Sequence, residues 1–432
     1  MTTVIVIASA LVFFGLLMAS IALHELGHLL PAKLFGVKAT QYFVGFGRTL
    51  WSGRWGETEF GVKLLPFGGY VRLIGMYPPA RDAGPDAVET AGPVTRLASM
   101  AREAEYENIT PADHGRLFYE KPTWQKIIVM AGGPAMNFLL AFLIFLGVNL
   151  AFGSYQPTLT VSTVSQCVVP ASRAGQTCTA SDPASPASLA GVRPGDRIVS
   201  FNGVPVTSWN KLSDLIRANT SHAATVVVER SGQRVTLKTV DTITTGVPDR
   251  LDPSRTVEAG FFGVSPQQQL VHPGVVGTAQ QMWTLTEQST VALVGFPVKV
   301  WHVAADVVTG KPRNINGPIS IVGASQVAGE IATLPGLTLG DRVATWFLML
   351  GSVNLFVALL NCVPLLPLDG GHIAGAVYEG LKRAGARVLR RPDPGHVDTA
   401  RMLPVAYVVG AFLLVSGLVL VVADIVSPLQ LR

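Results

Sequence analysis

The chain has 432 residues, of which 49% are hydrophobic and only 14% are charged. Soluble domains carry a charge on about a quarter of their residues. The composition therefore excludes an ordinary soluble protein and indicates a membrane protein. The formal net charge of +5 is too small to indicate a nucleic-acid partner, so none is predicted.

Four segments are long and nearly free of charge. A helix needs about 20 apolar residues to cross a bilayer core about 30 Å thick. We therefore predict a polytopic α-helical membrane protein whose four spans are residues 1–33, 126–153, 343–368 and 402–424. The first segment is predicted to be a retained span rather than a signal peptide, because residues 1–6 hold no lysine or arginine.

Basic residues indicate which loops face the cytoplasm. Two groups of six lie after the first span and between the third and fourth spans: Lys33, Lys38, Arg48, Arg54, Lys63 and Arg72, and then Lys382, Arg383, Arg387, Arg390, Arg391 and Arg401. Residues 150–172, after the second span, hold no lysine or arginine. By the positive-inside rule, the polar loop at residues 78–122 and the basic loop at residues 369–401 are cytoplasmic, and both termini are extracytoplasmic.

Three segments outside the spans have patterns of their own. Residues 34–77 are rich in glycine, aromatic and β-branched residues, which predicts a membrane-associated β element on the cytoplasmic side. Residues 155–266 alternate short β-rich runs with turns and contain one helix-like piece, which predicts a compact extracytoplasmic domain. Residues 283–308 are apolar with a few interrupting charges, so we expect an amphipathic helix on the outer surface rather than a fifth span.

The three cysteines give little further information. Cys167 and Cys178 fall in the predicted outer domain, where a disulfide is allowed, but their spacing leaves the pairing open. Cys362 lies in the third predicted span and is expected to be a small buried residue rather than a reactive thiol.

The first span ends in the sequence His24-Glu25-Leu26-Gly27-His28. Residues four apart share one face of a helix, so both imidazoles can ligate one Zn²⁺ while Glu25 stands beside the metal's water. Glu25 lies on the order of 10 Å below the end of the apolar run. An ionisable group at such depth is costly unless it is paired or metal-bound, and it indicates function.

A catalytic zinc site usually has three protein ligands and one open position. Asp369 is the clearest third candidate, because Pro364 and Pro367 break the third span just before it. His372, three residues further on, is an alternative ligand. Our hypothesis is that His24, His28 and Asp369 hold zinc and that Glu25 is the general base.

Two hypotheses from other classes compete with a peptidase. A zinc permease or other transporter also uses broken helices and buried ligands, but it would be expected to contain internal repeats, which the sequence does not show. A catalytically silent membrane scaffold would not need Glu25 beside a complete ligand set.

These motifs resemble the site-2 protease family of intramembrane zinc endopeptidases, in particular its RseP-type and actinobacterial members. The resemblance rests on the His24–His28 motif, on the segment from Asn361 to Gly371, and on weaker matches in a fixed order. The weaker matches are the glycine motifs at residues 45–47 and 66–71, the Gly132-Gly133-Pro134-Ala135-Met136-Asn137-Phe138 segment, and Gly317-Pro318-Ile319. The outer domain at residues 155–266 resembles a bacterial PDZ domain through its motifs at residues 190–198 and 202–203. One such domain is found, where the RseP pattern often has two.

The resemblance implies regulated intramembrane proteolysis in a bacterial inner membrane. Substrates would be single-span proteins, such as anti-sigma factors, that another protease has already cut. The PDZ-like domain would filter substrates by size, read a new C-terminus or contact an adaptor. The β element would pair with extended substrate, so the expected substrate-binding residues are Asn361, Gly45, Gly47, Gly68 and Gly69; Asn361 serves equally well as a cap of exposed backbone.

Overall fold

The computed structural model describes residues 2–79, 96, 99–100, 102–103, 106, 109–169, 177–252, 255–311, 313–314 and 317–429. Most of the predicted loop between residues 80 and 108 therefore lies outside the described residues. The chain forms two compact units. The first comprises residues 1–147 and 279–432, and the second comprises residues 148–278.

The helices, in chain order, are α1 (Thr2–Leu34), α2 (Thr123–Ala151), α3 (Pro186–Ala190), α4 (Trp209–Ala218), α5 (Gly274–Val294), α6 (Phe296–Thr309), α7 (Ile321–Ile331), α8 (Leu339–Asn361), α9 (Asp369–Val388) and α10 (Leu403–Val426). Short 3₁₀ helices occur at Pro111–Asp113, Phe118–Glu120 and Thr399–Met402. The strands are β1 (Ala39–Trp55), β2 (Thr58–Leu73), β3 (Ser154–Val164), β4 (Arg197–Phe201), β5 (Val204–Pro205), β6 (Ala223–Ala224), β7 (Val226–Arg230), β8 (Gln233–Thr236), β9 (Val240–Asp241), β10 (Ile243–Pro248), β11 (Thr256–Phe261) and β12 (Val264–Val271).

Among the described residues, four helices are long and apolar enough to cross a membrane, namely α1, α2, α8 and α10, the last with the 3₁₀ turn before it. The predicted polytopic α-helical membrane protein, with four helices of membrane length and a β-rich region, is thereby confirmed in outline. The backbones of helices α1 and α2 approach each other closely at Gly27 and Gly132. A Cβ atom added to Gly27 would lie 2.8 Å from the carbonyl carbon of Gly132, and a Cβ atom added to Gly132 would lie 2.8 Å from the carbonyl carbon of Gly27. Glycine at both positions permits the close approach typical of membrane helices.

Residues 274–309 form two helices rather than the single helix expected over residues 283–308. Helices α5 and α6 meet at Gly295 with a bend of 62°, and together they pass the length and hydropathy test for a fifth, broken span. Pro297 lies in the first turn of α6 and cannot continue the preceding helix, which explains the break.

Strands β1 and β2 each bend and form a small sheet of four paired segments. Residues 41–44 of β1 pair on one side with residues 59–62 of β2 and on the other with residues 69–72, while residues 49–55 pair with residues 58–63. Gly45 and Gly47 have φ angles of 92° and 83°, which permit β1 to bend between its two halves. Residues 69–73 form an edge of this small sheet.

Helix α7 packs against α1 through a buried cluster that includes Phe13, Leu17, Ala324 and Ala328. The start of α7 is joined to α10 by buried charges. Asp424 forms an ion pair with Arg313 and accepts a hydrogen bond from the Ser320 backbone N–H at 2.7 Å. These contacts fix α7 and thereby support the helix that carries the His-Glu-x-x-His motif.

The second unit is built on a sheet with the strand order β12-β3-β4-β7-β8, which leaves β12 at one end. Helix α4 begins after Ser208, whose side chain accepts the Lys211 N–H, and it buries Leu212 and Ile216. The structure joins Cys167 to Cys178 in a disulfide. Cys362, expected to be buried, is exposed because α8 ends at Asn361 and the chain turns away from the helix.

Candidate metal centre

A cavity of about 770 Å³ lies within the first unit. Most of its lining is apolar, but several side chains bring polar groups to it, among them His24, Glu25, His28, Asn137, Asn354, Asn361, Asp369 and His372. Several of these residues belong to α1, α2 and α8, which are three of the helices of membrane length. Polar side chains around such a cavity allow water to enter a region between apolar helices that would otherwise exclude it.

Helix α1 presents His24 and His28 on one face, with ring centroids 5.0 Å apart. The Nδ1 atom of His28 lies 2.8 Å from the carbonyl oxygen of Val129 on α2. A carbonyl only accepts, so Nδ1 carries the proton and the lone pair of Nε2 points to the centre. This is the arrangement found for metal-binding imidazoles.

Asp369 is the first residue of α9 and follows a break of seven residues after α8. The segment between α8 and α9 folds back against the start of α9. A Cβ atom on Gly370 would lie 2.6 Å from the Cys362 carbonyl oxygen, and a Cβ atom on Gly371 would lie 2.9 Å from the Leu365 carbonyl oxygen. The Gly370-Gly371 pair therefore allows the turn that delivers Asp369. The helix N-terminus also favours a carboxylate there.

The three side chains form a compact donor set. Asp369 Oδ2 lies 3.5 Å from His24 Nε2 and 3.3 Å from His28 Nε2, and all three ligand atoms lie within 4.8 Å of one another. Two ligands about 2.1 Å from a tetrahedral zinc lie about 3.4 Å apart. Asp369 Oδ2 is also buried without a hydrogen-bond partner among the described residues. The donor set therefore fits zinc.

Gly133 of α2 is required by this geometry. A Cβ atom at this position would lie 2.7 Å from the Cε1 atoms of both His24 and His28. Any other residue would therefore push the imidazoles away. Neither Gly133 nor the Val129 carbonyl was assigned a role from the sequence; the paired glycines of the second span were the one signal that pointed to close helix packing here.

Glu25 projects from α1 between the metal centre and the small sheet, and its side chain is largely buried, 9% exposed. The Val71 backbone N–H lies close to this carboxylate. A Cβ atom on Gly69 would lie 2.8 Å from Glu25 Cγ. The β2 edge thus fixes the carboxylate beside the three donors.

The other residues predicted from the sequence divide into two groups. Asn361, Gly68 and Gly69 line the cavity, and so does His372, although it is not part of the three-residue donor cluster found among the described residues. Gly45 and Gly47 are absent from the described lining and stand at the bend of β1 instead.

Four helices of membrane length and a His-His-Asp donor set beside a buried glutamate define a class, the membrane-embedded metallopeptidases. The sequence profile of peptidase family M50 matches residues 12–389. The chain therefore belongs to peptidase family M50, the site-2 protease family.

Relatives of known name support this assignment. The chain is 32% identical to zinc metalloprotease Rip1 of Mycobacterium tuberculosis, over 98% of each chain, and 31% identical to zinc metalloprotease Rip1 of Mycolicibacterium smegmatis, again over 98% of each. It is 24% identical to zinc metalloprotease RasP of Shouchella clausii, over 86% of this chain and 90% of the relative. The predicted family, enzyme class and zinc cofactor are thereby confirmed.

Proposed function

We propose that this chain is an intramembrane zinc endopeptidase that hydrolyses a peptide bond of a transmembrane substrate near the cytoplasmic side of the bilayer. The observation that carries the proposal is the cluster of His24, His28 and Asp369 beside Glu25, inside helices of membrane length. Glu25 lies nine residues before the end of α1, which corresponds to about 14 Å along the helix axis.

In this mechanism His24, His28 and Asp369 hold zinc, and Glu25 moves the proton. Zinc, when bound, supplies Lewis-acid polarisation of the scissile carbonyl and lowers the pKa of water toward about 7. The Glu25 carboxylate accepts the proton of the attacking water and delivers it to the nitrogen of the leaving amine. Close packing of Glu25 against Gly69 on the β2 edge holds the carboxylate in place for both transfers.

Substrate binds in an extended form along the β2 edge. A peptide bond in a transmembrane helix is shielded by its own backbone hydrogen bonds, so the helix must unwind before cleavage. Residues 69–73 form a sheet edge beside Glu25 and line the cavity, which supports strand addition there. Asn361, at the end of α8, also lines the cavity, and we assign it to substrate carbonyl groups or to capping of the helix break.

The second unit acts as a PDZ-like extracytoplasmic domain that filters substrates or reads a newly exposed C-terminus. Its terminal strand β12 offers an edge for an added peptide strand. The Cys167–Cys178 disulfide supports a location outside the cytoplasm. With the basic loops inside, the protein lies in a bacterial inner membrane with both termini extracytoplasmic, and membrane lipid surrounds its four spans.

The substrates we infer are single-span proteins of the anti-sigma factor type, already cut outside the membrane by another protease. The test uses purified wild type and Glu25→Gln in nanodiscs, with a model single-span substrate that lacks its outer domain. We expect wild type to cut within the apolar segment, as mapped by mass spectrometry, and Glu25→Gln to be at least about 100-fold slower with equal zinc content. Equal cleavage by both proteins, or cutting outside the apolar segment, would refute the proposal.

A further inference from the structure

The two imidazoles of the metal centre differ in their second ring nitrogen. His28 Nδ1 is paired with the Val129 carbonyl oxygen. His24 Nδ1 is buried and has no hydrogen-bond partner among the residues that the structure describes. Metal-binding imidazoles almost always donate this N–H to an acceptor, which fixes the tautomer and the ring orientation. An acceptor for His24 is therefore needed.

Besides the proposed metal ligand Asp369, a further acceptor without a partner among the described residues lies in the same cavity. Asn137 is 2% exposed and lines the cavity, and its Oδ1 atom has no hydrogen-bond partner within the described part of the chain. A buried amide oxygen without a partner, on a helix of membrane length, is costly and calls for a ligand or a donor.

The helix geometry brings Asn137 to the level of His24. On α2, Val129, Gly133 and Asn137 are four residues apart and share one face. Val129 contacts His28, and Gly133 faces both imidazoles. Along this face, α2 therefore runs from the level of His28 towards the level of His24. Asn137 lies one helical turn beyond Gly133 in that direction.

We propose that Asn137 is a positioning residue for His24, whose Nδ1–H donates a hydrogen bond to Asn137 Oδ1 and so keeps the Nε2 lone pair directed at the metal. This inference rests on the proposed zinc site. A neutral amide serves as acceptor without adding another charge to a site that already holds two carboxylates inside the membrane. His24 Nδ1–H needs an acceptor and Asn137 Oδ1 needs a donor, so one hydrogen bond between them would satisfy both atoms.

The test measures zinc affinity of the full-length protein by chelator competition, together with the visible absorption spectrum of the Co²⁺-substituted protein. We expect Asn137→Leu to weaken zinc binding about 10- to 100-fold, the usual effect of losing such an acceptor, and to change the Co²⁺ spectrum. Asn137→Asp restores an acceptor, so it retains at least the wild-type affinity.

The matched control is Asn149→Leu, which replaces a fully buried asparagine on the same helix that donates to Thr278. It is expected to leave zinc affinity unchanged. All variants are first checked for a single gel-filtration peak and for the thermal midpoint of the metal-free protein. Wild-type zinc affinity and spectrum in a folded Asn137→Leu variant would overturn the inference, even with reduced cleavage. Failure of wild type to bind zinc would instead refute the proposed function.

Discussion

Gly133→Ala tests how tightly the membrane helices define the metal centre. The added methyl group would lie 2.7 Å from the Cε1 atoms of His24 and His28, whereas carbon atoms in contact are about 3.5–4.0 Å apart. Each imidazole must therefore retreat by about 1 Å, and zinc–ligand distances tolerate about 0.2 Å. We expect zinc affinity to fall at least about 100-fold, equivalent to about 2.7 kcal/mol.

Measuring this prediction requires zinc content, zinc affinity and cleavage of a single-span substrate for each variant. Gly147→Ala is the matched control on the same helix, because a Cβ atom there meets no other atom within 4 Å among the described residues. The control is expected to bind zinc like wild type. Wild-type zinc affinity in Gly133→Ala would refute the packing argument, because the imidazoles would then have room that the structure does not give them.

Two further predictions concern Glu25 and the ion pair between Lys38 and Asp113. Gly69→Ala places a methyl group 2.8 Å from Glu25 Cγ, so kcat should fall by about 100-fold at unchanged zinc content; loss of zinc instead would show that the β2 edge supports the ligands. Hydrogen bonds, chiefly that from Lys38, lower the pKa of Asp113 to about 2, below the unfolded value of about 3.9. This carboxylate therefore stabilises the fold above about pH 4 and ceases to do so as the pH falls through about 2. Wild type should unfold at a higher temperature than Asp113→Asn at pH 5, by a margin that shrinks toward pH 2; a constant margin would contradict the assignment.

The parts of the site that depend on local sequence could be predicted. His24 and His28 share a face because of helix periodicity alone, and Glu25 is conspicuous because a charge in an apolar span is costly. Asp369 could be proposed because two prolines must break the helix before it. Each of these inferences needs only residues close together in the chain.

The remaining features depend on which helices become neighbours. The Val129 carbonyl and the absence of a side chain at Gly133 matter only because α2 packs against α1 at this level. The roles of Gly45 and Gly47 depend on how β1 bends between two partners, which the sequence pattern does not show. The break at Gly295 is different, because Pro297 is visible in the sequence and disfavours a single continuous helix through this position.

The most direct test of the account is X-ray absorption at the zinc edge of the purified Glu25→Gln protein, compared with Asp369→Ala. We predict one zinc per chain in Glu25→Gln, coordinated by two imidazole nitrogens at about 2.0–2.1 Å and by oxygen at about 2.0–2.2 Å. Asp369→Ala should lose most of its zinc affinity. A third imidazole in the first protein, or undiminished zinc affinity in the second, would contradict the assignment of Asp369 and with it the proposed catalytic centre.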